Sequence, residues 1–243
     1  MAIKAVLFDL DDTLFDHAHC ARAALGTVQS SHPCFSTVAF DALQRSHSTI
    51  LDQLHGDVAV GRVPLDAARI ERFRRLYRFA GHEADDALAT ATATAYRQAY
   101  LDARRPVDGA SELLDALRPH ARIGVVTNNL LAEQQEKLRH CGLDRFVDEL
   151  IASEEAGVSK PDPRIYQLAL ERLQCAPNEA VMVGDSWAND IEGARAAGIR
   201  AVWFNPAGDD TLDPTVPTLR ILDPRIALPL ILSNSEERTA RSG

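Results

Sequence analysis

Short apolar runs alternate with helical patterns along most of the chain. The apolar runs cover residues 3–8, 122–126, 146–151, 180–183 and 201–204, and the helical patterns cover residues 111–117, 130–141, 165–173 and 188–197. Short continuous apolar runs are typical of strands buried on both faces, and strands that alternate with helices favour a parallel sheet. We therefore predict an α/β fold, a parallel sheet with helices on both faces.

The segment between the first two predicted strands breaks this alternation. Helical patterns fill it, at residues 18–29, 38–54, 67–80 and 85–103. We interpret it as a helical cap domain inserted into the sheet domain. The predicted organisation is a Rossmann-like catalytic core from residues 1–15 and 93–232, a helical cap domain from residues 16–92, and a flexible polar tail from residues 233–243.

Polar side chains stand at the ends of three predicted strands. Asp9 and Asp11 follow the first strand, Thr127 and Asn128 the second, and Asp185 and Asp190 the fourth. Ligands of open parallel sheets bind beyond the carboxyl ends of the strands, and neighbouring strands lie about 4.8 Å apart. If the first strand is central, these side chains converge on one spot.

Such a gathering of acids predicts a bound cation. Two carboxylates about 5 Å apart repel by roughly 3 kcal/mol at an effective dielectric constant of about 20, and three carboxylates make three such pairs. Either some of the acids take up protons, or a cation binds among them. Oxygen ligands favour Mg²⁺, which commonly takes one or two carboxylates together with a phosphate. The candidate Mg²⁺ ligands are Asp9, Asp11, Asp185 and Asp190.

The first two acids suit different chemical roles. Asp9 can attack phosphorus as a nucleophile and form an aspartyl phosphate, while Asp11 can protonate the leaving oxygen and later activate water. Thr127 and Asn128 stand at a predicted helix start, which suits binding of a phosphate group. Lys160 is one of three lysines in the chain and lies in a proline-flanked loop. We predict that it supplies positive charge to the reaction and to the bound phosphate.

Charge and composition limit the classes of partner. The chain of 243 residues has a net charge of −9 and a pI of about 5.3, which argues against binding of a nucleic acid polymer. No apolar run is long enough to span a membrane, and the start of the chain shows no basic, cleavable leader, so we expect a cytoplasmic protein. The expected partner is a small phosphorylated metabolite, and both a monomer and a homodimer stay open.

The motifs resemble those of the haloacid dehalogenase (HAD) superfamily, whose commonest members are magnesium-dependent phosphatases. The matching stretches are DLDDTL at residues 9–14, Thr127-Asn128, Lys160-Pro161, and Gly184-Asp185-Ser186 followed by Asp190. The resemblance runs from residue 3 to about residue 205. Residues 127–129 and 184–199 look most like the subgroup of nucleotidases and N-acylneuraminate phosphatases.

The resemblance implies a role for each matching residue. Asp9 corresponds to the nucleophile and a Mg²⁺ ligand, and Asp11 to the general acid and base, with its backbone carbonyl on the metal. Thr127 corresponds to the hydroxyl that binds phosphate, and Lys160 to the lysine that neutralises nucleophile and phosphate.

Two further acids correspond to the family's last motif. The resemblance makes Asp185 a carboxylate ligand of Mg²⁺. It makes Asp190 a residue that binds the metal through water or orients Lys160. It also implies that the helical cap closes over the substrate and excludes water.

Other reactions of the superfamily fit the sequence less well. Asp11 stands where a dehalogenase has no acid, and no lysine between Lys4 and Lys137 could form the Schiff base of a phosphonatase. A sugar phosphomutase stays open as an alternative. The candidates for holding its second phosphate are Arg22, Arg62 and Arg69. A non-catalytic, phospho-accepting signalling module and a catalytically silent partner-binding homologue are further alternatives, and phosphate monoester hydrolysis is the favoured prediction.

Overall fold

In the computed structural model, which describes residues 2–59, 62–210 and 212–233, the predicted strands form one parallel sheet. Its strands are β1 (Ala5–Phe8), β2 (Arg122–Thr127), β3 (Glu149–Ala152), β4 (Ala180–Gly184), β5 (Arg200–Phe204) and β6 (Thr218–Leu219). Their order across the sheet is β3-β2-β1-β4-β5-β6. The chain fills one side of β1 before it crosses to the other side, so β1 lies at the topological switch point.

The register aligns the carboxyl ends of the three central strands. Phe8 of β1 pairs with Val125 of β2 on one side and with Val183 of β4 on the other. All four residues of β1 are buried, as expected for a central strand covered on both faces. The segments that follow these three strands therefore emerge next to each other at one edge of the sheet.

A second compact unit, residues 17–104, is helical throughout its described part. Its helices are α1 (His17–Ser31), α2 (Phe40–Ala59), α3 (Leu65–Phe79) and α4 (Asp86–Asp102), with a 3₁₀ turn at Pro33–Phe35. We call it the helical unit. Helix α1 packs against α4 and helix α2 against α3. The Asp85 side chain caps α4 by accepting a hydrogen bond from the Leu88 N–H at 2.8 Å.

The helical unit ends later than the sequence predicts. The other compact unit consists of residues 1–16 and 105–243. The predicted boundary between residues 92 and 93 falls inside α4, which is one continuous helix. An amphipathic helix buries its apolar stripe along its whole length, so the unit extends to the end of that helix.

The remaining helices flank the sheet within its own unit. They are α5 (Ala110–Leu117), α6 (Leu131–His140), α7 (Ser153–Ala156), α8 (Pro163–Leu173), α9 (Gly193–Ala196) and α10 (Pro224–Leu232), with 3₁₀ turns at Asp144–Phe146 and Pro177–Glu179. Helix α8 packs against β2 and β3. Its buried residues Ile165, Ala169 and Leu173 join alternate residues of the strands in one apolar core. This core makes the central part of the sheet a rigid support for the loops at its edge.

The predicted α/β class is confirmed, and the differences are local. Strand β6 has only two residues, too few for an apolar period to reveal. The helix predicted at 188–197 divides into a π-helical turn, Trp187–Glu192, and the short helix α9.

The predicted flexible tail, residues 233–243, lies outside the described residues except for Ser233. Among the described residues, we find no helix that combines the length and the hydropathy of a membrane span.

Candidate active site

The loop that follows β1 carries Asp9 and Asp11 and forms a tight turn around the carbonyl oxygen of Leu10. The carbonyl oxygen of Leu10 accepts hydrogen bonds from the backbone N–H groups of Thr13, Leu14 and Phe15, at 3.3, 2.9 and 2.8 Å. Asp12 has a left-handed backbone conformation with a φ of 64°, which aspartate adopts more readily than most residues. The turn starts at the end of the central strand, so it holds the acids on either side of Leu10 at the sheet edge.

A buried lysine links two acids at this edge. The Lys160 Nζ lies 2.5 Å from the Asp9 Oδ1 and 2.7 Å from the Asp190 Oδ1. Lys160, Asp9 and Asp190 are 5%, 7% and 0% exposed. Removing one partner from such a buried group would leave an uncompensated charge, so the three side chains form one electrostatic unit.

The structure around Asp190 is shaped to hold its carboxylate. The Asp190 Oδ2 accepts a hydrogen bond from the Ser186 N–H at 3.0 Å. A Cβ atom on Gly184 would collide with the Asp190 carboxylate, so glycine is needed for this close approach. The π-helical turn at 187–192 carries Asp190 to this position, directly beyond the end of β4.

A third carboxylate completes a group that we call the acid triad, Asp9, Asp185 and Asp190. The Asp185 Oδ1 accepts a hydrogen bond from the Thr13 hydroxyl at 3.1 Å. Carboxylate oxygens of the three members all lie within 4.8 Å of one another. Acids that follow β1 and β4 therefore meet at one point, as the strand order requires.

Burial and like charge both act on the acid triad. Burial raises the pKa of Asp9 well above its usual range, and Lys160 opposes that rise. Burial, together with the charges of Asp190 and Asp12, raises the pKa of Asp185 to about 7. Burial alone would lower the pKa of Lys160, but the Asp190 and Asp9 carboxylates outweigh it and raise that pKa. Lys160 therefore stays charged, but its single positive charge is too small to balance the three carboxylates of the acid triad.

The donor set of the acid triad fits Mg²⁺. Three carboxylates beside the single charge of Lys160 leave about two negative charges, which one divalent cation would neutralise. Carboxylate oxygens are the hard ligands that Mg²⁺ prefers. Asp190 already uses one oxygen on Lys160 and the other on the Ser186 N–H. These contacts favour Asp9 and Asp185 as direct ligands and Asp190 as the residue that orients Lys160.

The Asp11 side chain lies with a second lysine and outside the acid triad. The Lys137 Nζ lies 2.6 and 2.8 Å from the two Asp11 carboxylate oxygens. The Gln134 Nε2 donates to the Asp11 Oδ2 at 3.2 Å and to the Thr127 Oγ1 at 2.6 Å. The sequence predicts that the Asp11 side chain lies with the other three acids. The structure brings only those three together, and side chains of α6 bind the Asp11 carboxylate instead.

Gln134 and Lys137 are interior residues of one helix face. They are three positions apart on α6, and they are 0% and 7% exposed. The Lys137 Nζ also lies 5.1 Å from the centre of the Phe15 ring. An ammonium group held by a carboxylate and an aromatic face has a restricted position. Helix α6 thus ties the Asp11 carboxylate to the Thr127 hydroxyl.

Asn128 contacts the backbone of Lys160. Its Oδ1 accepts from the Lys160 N–H at 2.7 Å, and its Nδ2 donates to the Lys160 carbonyl oxygen at 2.8 Å. Both polar atoms of the side chain are therefore engaged within the protein. The Asn128 side chain therefore positions the Lys160 loop, and the predicted role of Asn128 in substrate binding stays a prediction.

Three contributors to the site escape the sequence analysis, namely Thr13, Gln134 and Lys137. One signal could have pointed to Lys137, because the chain has only three lysines. Gln134 lies three positions before it on the same helix. Nothing in the sequence distinguishes the Thr13 hydroxyl from an ordinary turn residue.

A family profile described as haloacid dehalogenase-like hydrolase matches residues 3–198. The chain belongs to this family. The phosphoserine phosphatase of Thermus thermophilus is 35% identical over 245 residues, covering 92% of this chain and 97% of the relative. The pyrimidine 5'-nucleotidase YjjG of Escherichia coli is 43% identical over 101 residues, covering 41% of this chain and 45% of the relative.

A solved structure agrees with these sequence matches. The HAD-hydrolase YfnB of Bacillus subtilis, bound to magnesium, aligns with a TM-score of 0.73 at 25% identity, covering 94% of this chain and 99% of that one. The predicted family, its fold and the predicted enzyme class, a HAD-like phosphoric monoester hydrolase, are thereby confirmed.

Proposed function

We propose that this HAD-like hydrolase is a magnesium-dependent phosphatase that cleaves a small phosphate monoester through an aspartyl phosphate on Asp9. One observation carries the proposal. A buried carboxylate at the end of the central strand contacts a lysine at 2.5 Å and lies within an acid triad, while a second acid two residues later is held separately. This arrangement separates a nucleophile from a general acid and base.

In the first step, a carboxylate oxygen of Asp9 attacks the phosphorus atom. The new bond joins that oxygen to phosphorus, and the bond from phosphorus to the ester oxygen breaks. Asp11 gives its proton to the leaving oxygen, which departs as an alcohol. Lys160 offsets the negative charge of the phosphoryl group, and the Thr127 hydroxyl donates a hydrogen bond to it.

In the second step, water attacks the phosphorus atom of the aspartyl phosphate. Asp11, now a carboxylate, accepts a proton from that water. The bond from phosphorus to the Asp9 oxygen breaks, which releases inorganic phosphate and regenerates both acids in their starting states. A Mg²⁺ ion held by Asp9, Asp185 and the backbone carbonyl of Asp11 would supply positive charge to the phosphate oxygens.

The test of the proposed function is release of inorganic phosphate from nucleotide, sugar and glycolate phosphates, with and without Mg²⁺. We expect turnover of at least one monoester that EDTA abolishes and excess Mg²⁺ restores. Phosphate returned to a second position of a sugar, without release, would favour the phosphomutase alternative. Stable phosphorylation without turnover would favour the signalling module.

Metal binding has a readout that does not depend on activity. Mg²⁺ should raise the melting temperature by roughly 5 to 10 °C at about 100 times its Kd, because it binds only the folded chain. Asp185→Asn should remove most of this rise, since it deletes a ligand while keeping the size of the side chain. Asp115→Asn, at an exposed position of α5, is the matched control and should keep the rise. An unchanged rise in the Asp185→Asn variant would contradict the assigned ligand.

Lys137 provides a test of how Asp11 is positioned. Lys137→Met should slow the cleavage of an alkyl phosphate by roughly 10- to 100-fold, because a misplaced Asp11 cannot protonate the alkoxide. Cleavage of p-nitrophenyl phosphate should slow much less, since its leaving group needs no proton. Alcohol release in the first turnover measures this step for both substrates.

Two further variants separate this role from a general loss of structure. Lys137→Arg keeps the charge and should restore part of the alkyl phosphate rate. Arg139→Met changes an exposed residue of the same helix and should have no selective effect. Equal losses on the alkyl and aryl substrates in the Lys137→Met variant would refute the positioning role.

We also propose that the helical unit acts as the cap that selects the substrate. This role is in keeping with the insertion of residues 17–104 directly after the loop that carries Asp9 and Asp11.

A further inference from the structure

The helical unit contains a group of three arginines and one neutral histidine, which we call the cationic cluster: His47, Arg69, Arg72 and Arg97. Its members come from α2, α3 and α4. The Arg72 guanidinium lies over two rings, 4.7 Å from the centre of Tyr96 and 5.1 Å from that of Phe73. Arg72 is therefore the central member, held in place by aromatic faces.

Arg72 differs from the neighbouring arginines in its partners. Among the described residues, no carboxylate pairs with it, and its Nε is sealed from solvent without a hydrogen bond. By contrast, Arg69 pairs with Asp66 at 3.0 Å, and Arg75 pairs with Glu71 at 3.0 Å. Arg72 as a whole residue is only partly buried.

The electrostatic surroundings of Arg72 oppose its charge. Burial lowers the pKa of Arg72, and the charges of Arg69 and Arg97 act in the same direction, while Tyr96 and Tyr100 partly oppose the shift. An unpaired, partly desolvated arginine such as Arg72 is costly, because an interior cation is normally balanced by an acid. This free-energy cost is notable in a chain whose net charge is −9 and which is therefore rich in acidic side chains. An anion at this place would balance the charge of Arg72.

His47 adds a second unsatisfied polar atom. It is 3% exposed, and its Nε2 has no hydrogen-bond partner. Its ring lies 5.0 Å from that of Tyr96, centre to centre, so it shares an aromatic neighbour with Arg72. Burial, together with the charges of Arg72 and His17, lowers the pKa of His47 to about 3. The ring is therefore neutral at ordinary pH and can donate one N–H.

We infer that the cationic cluster is a binding site for an anionic group, a carboxylate or a phosphate, centred on Arg72. A guanidinium presents a planar fork that matches the two oxygens of such a group, and stacking on Tyr96 fixes the plane of that fork. His47 supplies a neutral donor beside it. An unpaired arginine and an orphaned histidine nitrogen beside one aromatic ring are explained together by one bound anion.

The origin of the anion rests on the proposed function. If the helical unit selects the substrate, the anion belongs to the part of the phosphate monoester that departs as the alcohol. The three arginines that the sequence offers for a second phosphate are less suited, because each has a partner within the helical unit. Arg22 binds Gln44, Arg62 binds Asp57, and Arg69 binds Asp66. The structure thus moves this role to Arg72.

Calorimetric titration of the Asp9→Asn protein tests the site without turnover. The probes are 3-phosphoglycerate and glycerol 3-phosphate, which differ by a carboxylate in place of a hydroxymethyl group. We expect 3-phosphoglycerate to bind roughly 10- to 100-fold more tightly. Adding Arg72→Gln should remove that advantage, with a much smaller change for glycerol 3-phosphate. Equal affinities for the two probes, or no measurable binding of 3-phosphoglycerate, would overturn the inference.

Control variants separate binding from folding. Arg75→Gln changes an arginine of the same helix that already pairs with Glu71, and it should leave the preference intact. Arg72→Lys keeps the charge without the planar fork and should give an intermediate loss, which also covers the case in which Arg72→Gln does not fold. A loss of the same size for both probes in a folded Arg72→Gln or Arg72→Lys protein would show a structural role only and would overturn the inference.

D-glycerate distinguishes the two sources of the anion. It carries the carboxylate and lacks the phosphate, so it should compete with 3-phosphoglycerate if the cluster binds the substrate. Simultaneous binding of the two would overturn the substrate assignment and indicate a site for a separate anion. Because these titrations need no turnover, a failure of the proposed phosphatase activity would appear separately, as absence of phosphate release from the wild-type protein.

Discussion

We expect replacement of Asp9 by asparagine to lower the rate of phosphate release by roughly four orders of magnitude or more. The amide group of asparagine is a poor nucleophile, so the first bond to phosphorus does not form. The fold should survive, because asparagine has the same size and Lys160 keeps its contact with Asp190 at 2.7 Å. Phosphate release from the best monoester substrate measures the rate, and thermal melting reports the fold.

Asp12→Asn is the matched control for this result. Asp12 belongs to the same loop, and asparagine tolerates the left-handed conformation with a φ of 64° that this position requires. This variant removes a carboxylate from the loop without removing the assigned nucleophile, and it should keep most of the turnover. A folded Asp9→Asn protein with near-normal turnover would show that the nucleophile is assigned to the wrong residue.

Replacing Lys160 by methionine is expected to damage both stability and activity. The substitution leaves the Asp9 and Asp190 carboxylates buried without a cation, which costs about 3–5 kcal/mol of the free energy of unfolding. Phosphate release should fall by roughly 10²- to 10³-fold, because the positive charge beside the reacting phosphoryl group is lost. Urea denaturation without Mg²⁺ measures the first effect and phosphate release the second.

Lys4→Met is the matched control for the loss of stability. Lys4 pairs with Glu179 at 2.7 Å, but its side chain is 60% exposed, so its removal should cost less than about 1 kcal/mol. Adding Asp190→Asn to Lys160→Met should restore part of the stability, because one of the unpaired carboxylates disappears. A Lys160→Met protein as stable as the wild type would contradict the coupled arrangement of Lys160, Asp9 and Asp190.

The strands and their order are the part of the fold that local patterns predict well. Apolar runs reveal β1 to β5, because a central parallel strand is buried on both faces. Since the carboxyl ends of such strands meet at one edge, the sequence also predicts that Asp9 and Asp185 lie close together. The helical unit is predicted only in part: the helical pattern at residues 85–103 crosses the predicted boundary at residue 92, whereas the structure places the whole of α4 in that unit.

The contacts within the site depend on geometry that spacing does not contain. Lys137 and Asp11 are 126 positions apart, and only the packing of α6 brings them together. Asn128 lies where the sequence predicts it, but its two hydrogen bonds go to the Lys160 backbone. Residue type and position along a strand end are therefore predictable, whereas the partner of each polar atom is not.

The arginines of the helical unit show the same limit. Sequence alone offers Arg22, Arg62 and Arg69 for an anion, because they are basic residues in the inserted segment. Arg72 stands in an equally ordinary stretch of α3, RIERFRRLYRF. Only the three-dimensional arrangement shows that, within the described part of the chain, Arg72 lacks an acidic partner while Arg69 has one.

The central claim, that Asp9 carries the phosphoryl group, is tested most directly by trapping the intermediate. In an Asp11→Asn protein, p-nitrophenyl phosphate should still phosphorylate the enzyme, because its leaving group needs no acid, while hydrolysis of the aspartyl phosphate slows for lack of a base. Rapid quenching and reduction with borohydride convert a phosphorylated aspartate to homoserine, which mass spectrometry locates. The account predicts homoserine at position 9, and a burst of p-nitrophenol with homoserine at another aspartate, or at none, would contradict it.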